Sequence, residues 1–188
     1  MDITVRKAHE SDNVKIAMTL AFSFEKMLSP LTKDMECMAR VFENGVDTNR
    51  FYVAEQDGEI IGVAACADRT GRALGSTKIE CKKHLGRIRG TIAYRVLCTE
   101  LMRPLDYPAA TANIDVVGVL SKARGKGVAK QLIRAVIENH PQYTEFILDV
   151  ASDNPSAIKS YTEFGFVEFK RDKVKFTGIR KIFMKYTV

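Results

Sequence analysis

Four basic residues and two glycines crowd the stretch from Lys122 to Lys130: Lys122, Arg124, Gly125, Lys126, Gly127 and Lys130. Before them, residues 113–119 form a β-branched apolar run that reads as a buried strand. After them, Val128, Leu132 and Val136 recur one helical turn apart. A strand that feeds a glycine-rich loop into a helix can hold an anion. The first helical amides lack intrahelical partners, and the helix dipole puts partial positive charge there. Gly125 and Gly127 let the backbone approach a ligand closely. A phosphorylated cofactor fits such a loop; on the glycines alone, so does an ordinary strand–turn–helix with solvated lysines. Asp115 stands inside the apolar strand, where a carboxylate needs a reason.

Known phosphate-binding patterns can be checked against the loop. The P-loop spacing G-x-x-x-x-G-K-[ST] does not occur in the chain. The dinucleotide fingerprint fails because Gly125-x-Gly127 continues to Lys130 where Gly or Ala is required. No resident metal is expected either. Cys37, Cys66, Cys81 and Cys98 lack metal spacing, and Cys81 with His84 makes only a lone C-x-x-H pair. Reduced thiols fit these cysteines better and favour a cytoplasmic setting.

The elements that must position these residues follow from periodicity. Ile3, Val5 and Lys7 alternate with polar residues as a half-buried strand does. Residues 13–28 read as an amphipathic helix carrying Val14, Met18, Ala21 and Phe22, and residues 33–42 as a second, with Met35, Met38, Ala39 and Phe42 as core. Asp57-Gly58 between apolar runs predicts a hairpin joining strands 51–55 and 60–66. Helices are expected over 76–85 and again along a stripe of Ile88, Ile92, Val96, Leu97 and Leu101. A helix over 127–139 and a strand over 145–150 come next. Then Asn154 caps a helix with Pro155 at its first position and Gly165 just past its end. Strands over 166–171 and 179–187 close the chain.

Two local patterns resemble one family. Arg124-x-x-Gly127-x-Ala129 resembles the R/Q-x-x-G-x-G/A signature of the GNAT superfamily, the acetyl-CoA-dependent N-acyltransferases. Asn154-x-x-Ala157-x-x-x-Tyr161-x-x-x-Gly165-Phe166 is similar to its second signature at every specified position. The two stand in the family's order, separated by one strand. The early hairpin and Phe183-Met184-Lys185 near the end also look like the family's. The resemblance covers all but residues 70–108.

That resemblance implies one domain over residues 1–188, of the α/β (α+β) class. Its sheet is mixed and mostly antiparallel, with helices on both faces and a splayed pair of strands, plus a helical insert at 70–108 between strands three and four. It implies an N-acetyltransferase that moves an acetyl group from acetyl-CoA directly to a primary amine of a small molecule or peptide; the alternative is a CoA-binding regulatory domain without catalysis. Backbone amides of Arg124, Gly125, Lys126, Gly127, Val128 and Ala129 would hold the pyrophosphate. Val117 and Val119 would pair with the pantetheine arm, with Gly118 as a kink between them or simply a close-packing residue. Asn154 would bond the arm, cap its helix, or both. Tyr161 would protonate the departing thiolate, its other reading being packing. Asp115 would take the amine's proton, directly or through water, or else be a structural carboxylate.

The insert would either shape the acceptor pocket or cover a sheet edge or dimer face. Net charge is +6 with pI near 9.1, which suits anionic ligands generally. No nucleic-acid motif or basic–aromatic platform is present, so no nucleic-acid partner is expected. The longest apolar run, near 60–67, is too short to cross a bilayer, so no membrane partner is expected. Homodimers are common in the family, which leaves a pair of copies as one option for assembly.

Overall fold

The computed structural model describes residues 2–173 and 180–188. Ile179, expected to open the last strand, lies outside the described residues. Seven strands form one sheet in the order β1-β2-β3-β4-β5-β7-β6. They are β1 (Thr4–Lys7), β2 (Phe51–Gln56), β3 (Glu59–Ala67), β4 (Thr111–Val119), β5 (Glu145–Ala151), β6 (Val167–Lys173) and β7 (Arg180–Thr187). Every neighbouring pair is antiparallel except β4 and β5, which run parallel. The β2–β3 hairpin turns at Asp57 and Gly58, both at positive φ (54° and 77°), as its Asp-Gly pair requires.

Helices cover both faces. Above lie α1 (Asn13–Ser23), α2 (Glu25–Leu28) and α3 (Met35–Glu43), then the insert's α4 (Lys78–Leu85) and α5 (Arg87–Glu100). Ile16, Leu20, Met38, Phe42, Val63 and Leu97 share the core on that face. Below lie α6 (Val128–Glu138) and α7 (Pro155–Phe164). There Leu132, Ile133, Val136, Phe146, Leu148 and Tyr161 share a second core. The sheet itself is the partition, so residue parity along β4 and β5 decides which chemistry each face receives.

Several expectations need correcting. The helix expected over 13–28 breaks at Phe24 into α1 and α2. Its inward residues are Ile16, Ala17, Leu20 and Ala21, while Val14 and Phe22 stand exposed. The α5 stripe is turned the other way: Ile88, Ile92 and Val96 are exposed, and Gly90, Ala93 and Leu97 face inward. The cause is close approach between helices. A Cβ on Gly90 would sit 2.4 Å from the Cys81 carbonyl oxygen on α4, so only a small-residue face fits there.

Asp68 ties three segments together. Its carboxylate accepts from Tyr143 Oη at 2.7 Å, from Thr70 and from Arg50. Burial works against its charge, but those donors and Arg50 outweigh it and hold the group down at about 2.

Candidate active site

The strand pair at the centre is the feature that makes room. β4 and β5 pair only at Thr111–Glu145, Ala112–Phe146 and Asn113–Ile147. Beyond that point the two strands part. β4 stays joined to β3 as far as Val119, with one bulge at Asp115: Cys66 faces Ile114 and Ala65 faces Val116, leaving Asp115 as the extra residue. Backbone groups along the far half of β4 therefore lack a β5 partner. Leu120 donates its N–H to Ile61 of β3. Because a strand alternates the side to which each residue's N–H and C=O turn, Val119 and Val117 present theirs to the gap. An open gap lined by strand backbone is costly to leave empty.

At the end of the gap stands the glycine loop. Gly125 and Gly127 both adopt φ of 77°, the left-handed region where a side chain is strained. No hydrogen bond is formed by the backbone N–H groups of residues 125–130 among the described residues. Gln131 is the first to donate, to Gly127 at 3.1 Å. A Cβ added at either glycine would meet nothing within 4 Å, so the loop faces open space. This is a concave run of free donors at the N-terminus of an eleven-residue helix. The expected residues Gly125, Lys126, Gly127, Val128 and Ala129 are all in it.

The basic side chains do different jobs. Arg124 donates Nε to the Val119 carbonyl at 3.2 Å and Nη2 to the Ser23 carbonyl at 3.0 Å. It therefore braces the end of β4 and the last turn of α1. Lys122 pairs with Glu59, and Lys130 with Glu163. Lys126 is exposed and has no partner among the described residues.

Gly118 is a packing position. A Cβ there would meet Ser23 Cβ at 3.1 Å and Oγ at 3.2 Å. Ser23 Oγ itself is buried and has no partner among the described residues, and nothing in the sequence singled that serine out.

Tyr161 lies 92% buried on α7, its ring beside Phe166. Its hydroxyl has no hydrogen-bond partner among the described residues. Burial first, and the charge of Asp149 second, push its phenol well above the usual tyrosine range. The hydroxyl thus stays protonated. Asn154 accepts from Ala157 N–H at 3.2 Å and from Ser156 at 3.0 Å, so the cap is real; its amide nitrogen is left for another partner.

Asp115 is almost fully enclosed, with its side chain 1% exposed. One oxygen is ion-paired with Arg72 and accepts from Asn113 Nδ2 at 3.2 Å; the other accepts from Ala73 N–H at 3.0 Å. Both oxygens are met by neighbouring donors, which is the geometry of the structural reading of this residue. Arg72, at the start of the insert, was not marked by any motif. Only the need of a buried carboxylate for a cation hinted at it.

The donor set fits acetyl-CoA. A backbone gap can take an amide-bearing arm, free amides can take a diphosphate, and a protonated phenol can serve a sulfur leaving group. No group of three or more His, Cys, Asp or Glu side chains among the described residues is arranged to hold a metal ion. No helix among them is long and apolar enough to cross a membrane.

Comparisons with known proteins agree with that geometry. Residues 19–166 match the model of the acetyltransferase (GNAT) family. No curated protein matches the chain in sequence. Among solved structures, an N-acetyltransferase from Staphylococcus aureus Mu50 superposes with a TM-score of 0.65 at 14% identity, covering 97% of this chain and 100% of that one. A ribosomal-protein-alanine N-acetyltransferase from Brucella melitensis gives 0.63 at 21% identity, covering 98% and 99%. The protein yncA of Salmonella typhimurium, in a structure described as holding its cofactor acetyl-CoA, gives 0.60 at 17% identity, covering 98% and 93%. With most of its length matched by the family model and the parted strand pair in place, the chain belongs to the acetyltransferase (GNAT) family and is an acyltransferase by class.

Proposed function

We propose that the protein transfers the acetyl group of acetyl-CoA directly to a primary amine. The observation that carries this reading is the wedge between β4 and β5, ending at the free amides of residues 125–130. When bound, acetyl-CoA supplies an activated thioester carbonyl and a thiol leaving group. Val117 and the Val119 N–H would hold its arm, and Gly125, Lys126, Gly127, Val128 and Ala129 would hold its diphosphate through backbone N–H groups. Arg124 would fix the loop from behind. Asn154 would add its amide nitrogen to the arm.

The chain's own groups then have three tasks. A backbone N–H on the open edge of β4 faces the space where negative charge develops on a carbonyl oxygen, and a fixed donor there stabilises it. Tyr161 keeps a proton on Oη and can give it to a leaving sulfur. Burial makes this phenol a weaker acid than a free tyrosine, so its proton moves only as the carbon–sulfur bond breaks and charge builds on the sulfur. Asp115 stands level with the start of the wedge. Held by Arg72, Ala73 and Asn113, it would act by fixing the bulge and the insert rather than as a free base.

The test is thiol release from acetyl-CoA by the purified protein with a panel of primary amines, run beside calorimetric binding of acetyl-CoA. Amine-dependent thiol release with a matching acetylated product is expected. Binding with no release from any amine, or hydrolysis alone, would contradict direct transfer.

A further inference from the structure

The two helices of the insert turn an unusual composition outward. Between residues 78 and 96, every exposed side chain is either aliphatic or basic. The aliphatic ones are Ile79 on α4 and Ile88, Ile92 and Val96 on α5, with Ile88 79% and Ile79 75% exposed. Three lysines of α4 and three arginines of α5 make up the rest. The one acid in the segment, Glu80, is largely covered; its Oε2 lies 3.2 Å from His84 Nε2 and 3.7 Å from Lys83 Nζ. Glu100, at the end of α5, is paired with Lys181 of β7 at 3.1 Å. No exposed negative charge therefore offsets the cations on this face.

The pattern on α5 is ordered. At about 3.6 residues per turn, Ile88, Ile92 and Val96 make one stripe, Arg95 falls on one flank of it and Arg89 on the other. The fold gives this stripe no partner, because the inward side of α5 is Gly90, Ala93 and Leu97. Aliphatic groups left in water add nothing to the stability of the fold. Charge and shape together say what would cover them. A second copy would set cation against cation. Nucleic acid would meet the arginines but find no exposed aromatic side chain between residues 78 and 96 on which to stack a base. An acidic protein helix would need a groove to lie in. Gly90 instead brings the α5 backbone so close to the Cys81 carbonyl that the cleft between α4 and α5 is closed there. What remains is an aliphatic ridge with positive charge on both sides, which fits a surface that is anionic outside and apolar beneath.

We propose that the outer face of α4 and α5 seats the protein on a membrane surface of anionic lipid. Ile88, Ile92 and Val96 enter between the headgroups, and Arg89 and Arg95 meet the phosphates with their stems lying along the apolar boundary. This is contact with a surface, not passage through it. The expectation of no membrane partner rests on the length needed to cross a bilayer, and a helix lying flat needs no such length. A patch this small, held by aliphatic side chains and cations together, binds reversibly and is weakened by salt. The proposal stands apart from acetyl transfer: α4 and α5 supply none of the free amides at residues 125–130, so the two readings fail separately.

The experiment is vesicle sedimentation with the full chain. Binding to vesicles of phosphatidylcholine and phosphatidylserine in equal parts is expected to be at least tenfold tighter than to phosphatidylcholine alone, and to fall as salt is added. The double variant Ile88→Ser, Ile92→Ser keeps every charge and should bind the mixed vesicles at least tenfold more weakly. Arg89→Gln with Arg95→Gln should do the same. All four side chains are exposed, so the melting temperature and acetyl-CoA binding should hold. A fluorescent reporter covers the case of a variant that folds poorly. The chain has no tryptophan, so Ile88→Trp puts the only one on the stripe. Its emission should shift to the blue on the mixed vesicles and be quenched by brominated lipid. Val188→Trp, just past the end of β7 opposite Lys181, should show neither effect. Full binding by the isoleucine variant would reduce the contact to charge alone and overturn the proposal. So would equal affinity for the two kinds of vesicle, or equal shifts at positions 88 and 188. Capture by immobilised poly-L-glutamate with no vesicle binding would overturn it too, and would assign the face to an acidic protein.

Discussion

Tyr161 combines two properties that seldom meet: near-complete burial and a hydroxyl with no partner among the described residues. The ring is packed, while the hydroxyl oxygen is not among the buried unpartnered atoms and so keeps an opening through which a leaving group can meet it. Tyr161→Phe removes only that atom. Thiol release is expected to fall about 100-fold or more, in the range of a lost general acid, while acetyl-CoA binding by calorimetry changes less than about twofold. Unchanged turnover would return Tyr161 to packing. A second residue-scale prediction concerns Asp68, held at about 2 in the fold by Thr70, Tyr143 and Arg50. A depressed folded pKa adds stability above the unfolded value near 4 and loses it as pH falls through about 2. The shift is worth ~2 kcal/mol. Denaturant unfolding should show Asp68→Asn less stable than the natural chain by that amount at pH 6, with the difference closing towards pH 2. A pH-independent difference would mean that packing, not charge, is at work.

Among the elements, the loop and helix from Gly125 to Glu138 are where sequence reading succeeded best. Gly125-x-Gly127 asks for left-handed backbone, the Val128, Leu132 and Val136 stripe asks for a helix, and both requirements are local. Gly127→Ala forces a side chain into φ of 77°, at about 1–2 kcal/mol. That strain should bend the free amides away from their common focus. Acetyl-CoA affinity is expected to weaken about tenfold, with the melting temperature lowered by only about 2–8 °C; full affinity would show that the amide geometry does not matter. The insert shows the opposite case. Its helices were legible from periodicity, but the face of α5 was not. The apolar stripe of Ile88, Ile92 and Val96 looked core-facing, yet contact with α4 demanded the small face of Gly90 and Ala93. Nothing along the sequence reports how closely a second helix will approach. The break at Phe24, where the backbone turns to φ −103° and ψ 17°, has no marker in the sequence, which carries no Gly or Pro there.

For the whole molecule, strand parity is the organising fact. One sheet separates a lower face, with Tyr161 packed under the wedge, from an upper face, with Asp149, Lys181 and Glu100 beneath the insert. The fold class and both signature loops could be read from residues because each is encoded within about fifteen positions. Arg72, Glu100, Asp149 and Lys181 could not. Arg72 reaches Asp115 across the bulge of β4, and Glu100, Asp149 and Lys181 meet only once β7 lies beside β5 with the end of α5 above it. Exchange of backbone amide hydrogens with and without acetyl-CoA tests the central claim most directly. The N–H groups of residues 125–130, together with Val117 and Val119, should be fast-exchanging in the free protein and at least tenfold slower when acetyl-CoA is bound. If acetyl-CoA binds while those amides keep exchanging at their free rates, the wedge is not its site and the account fails.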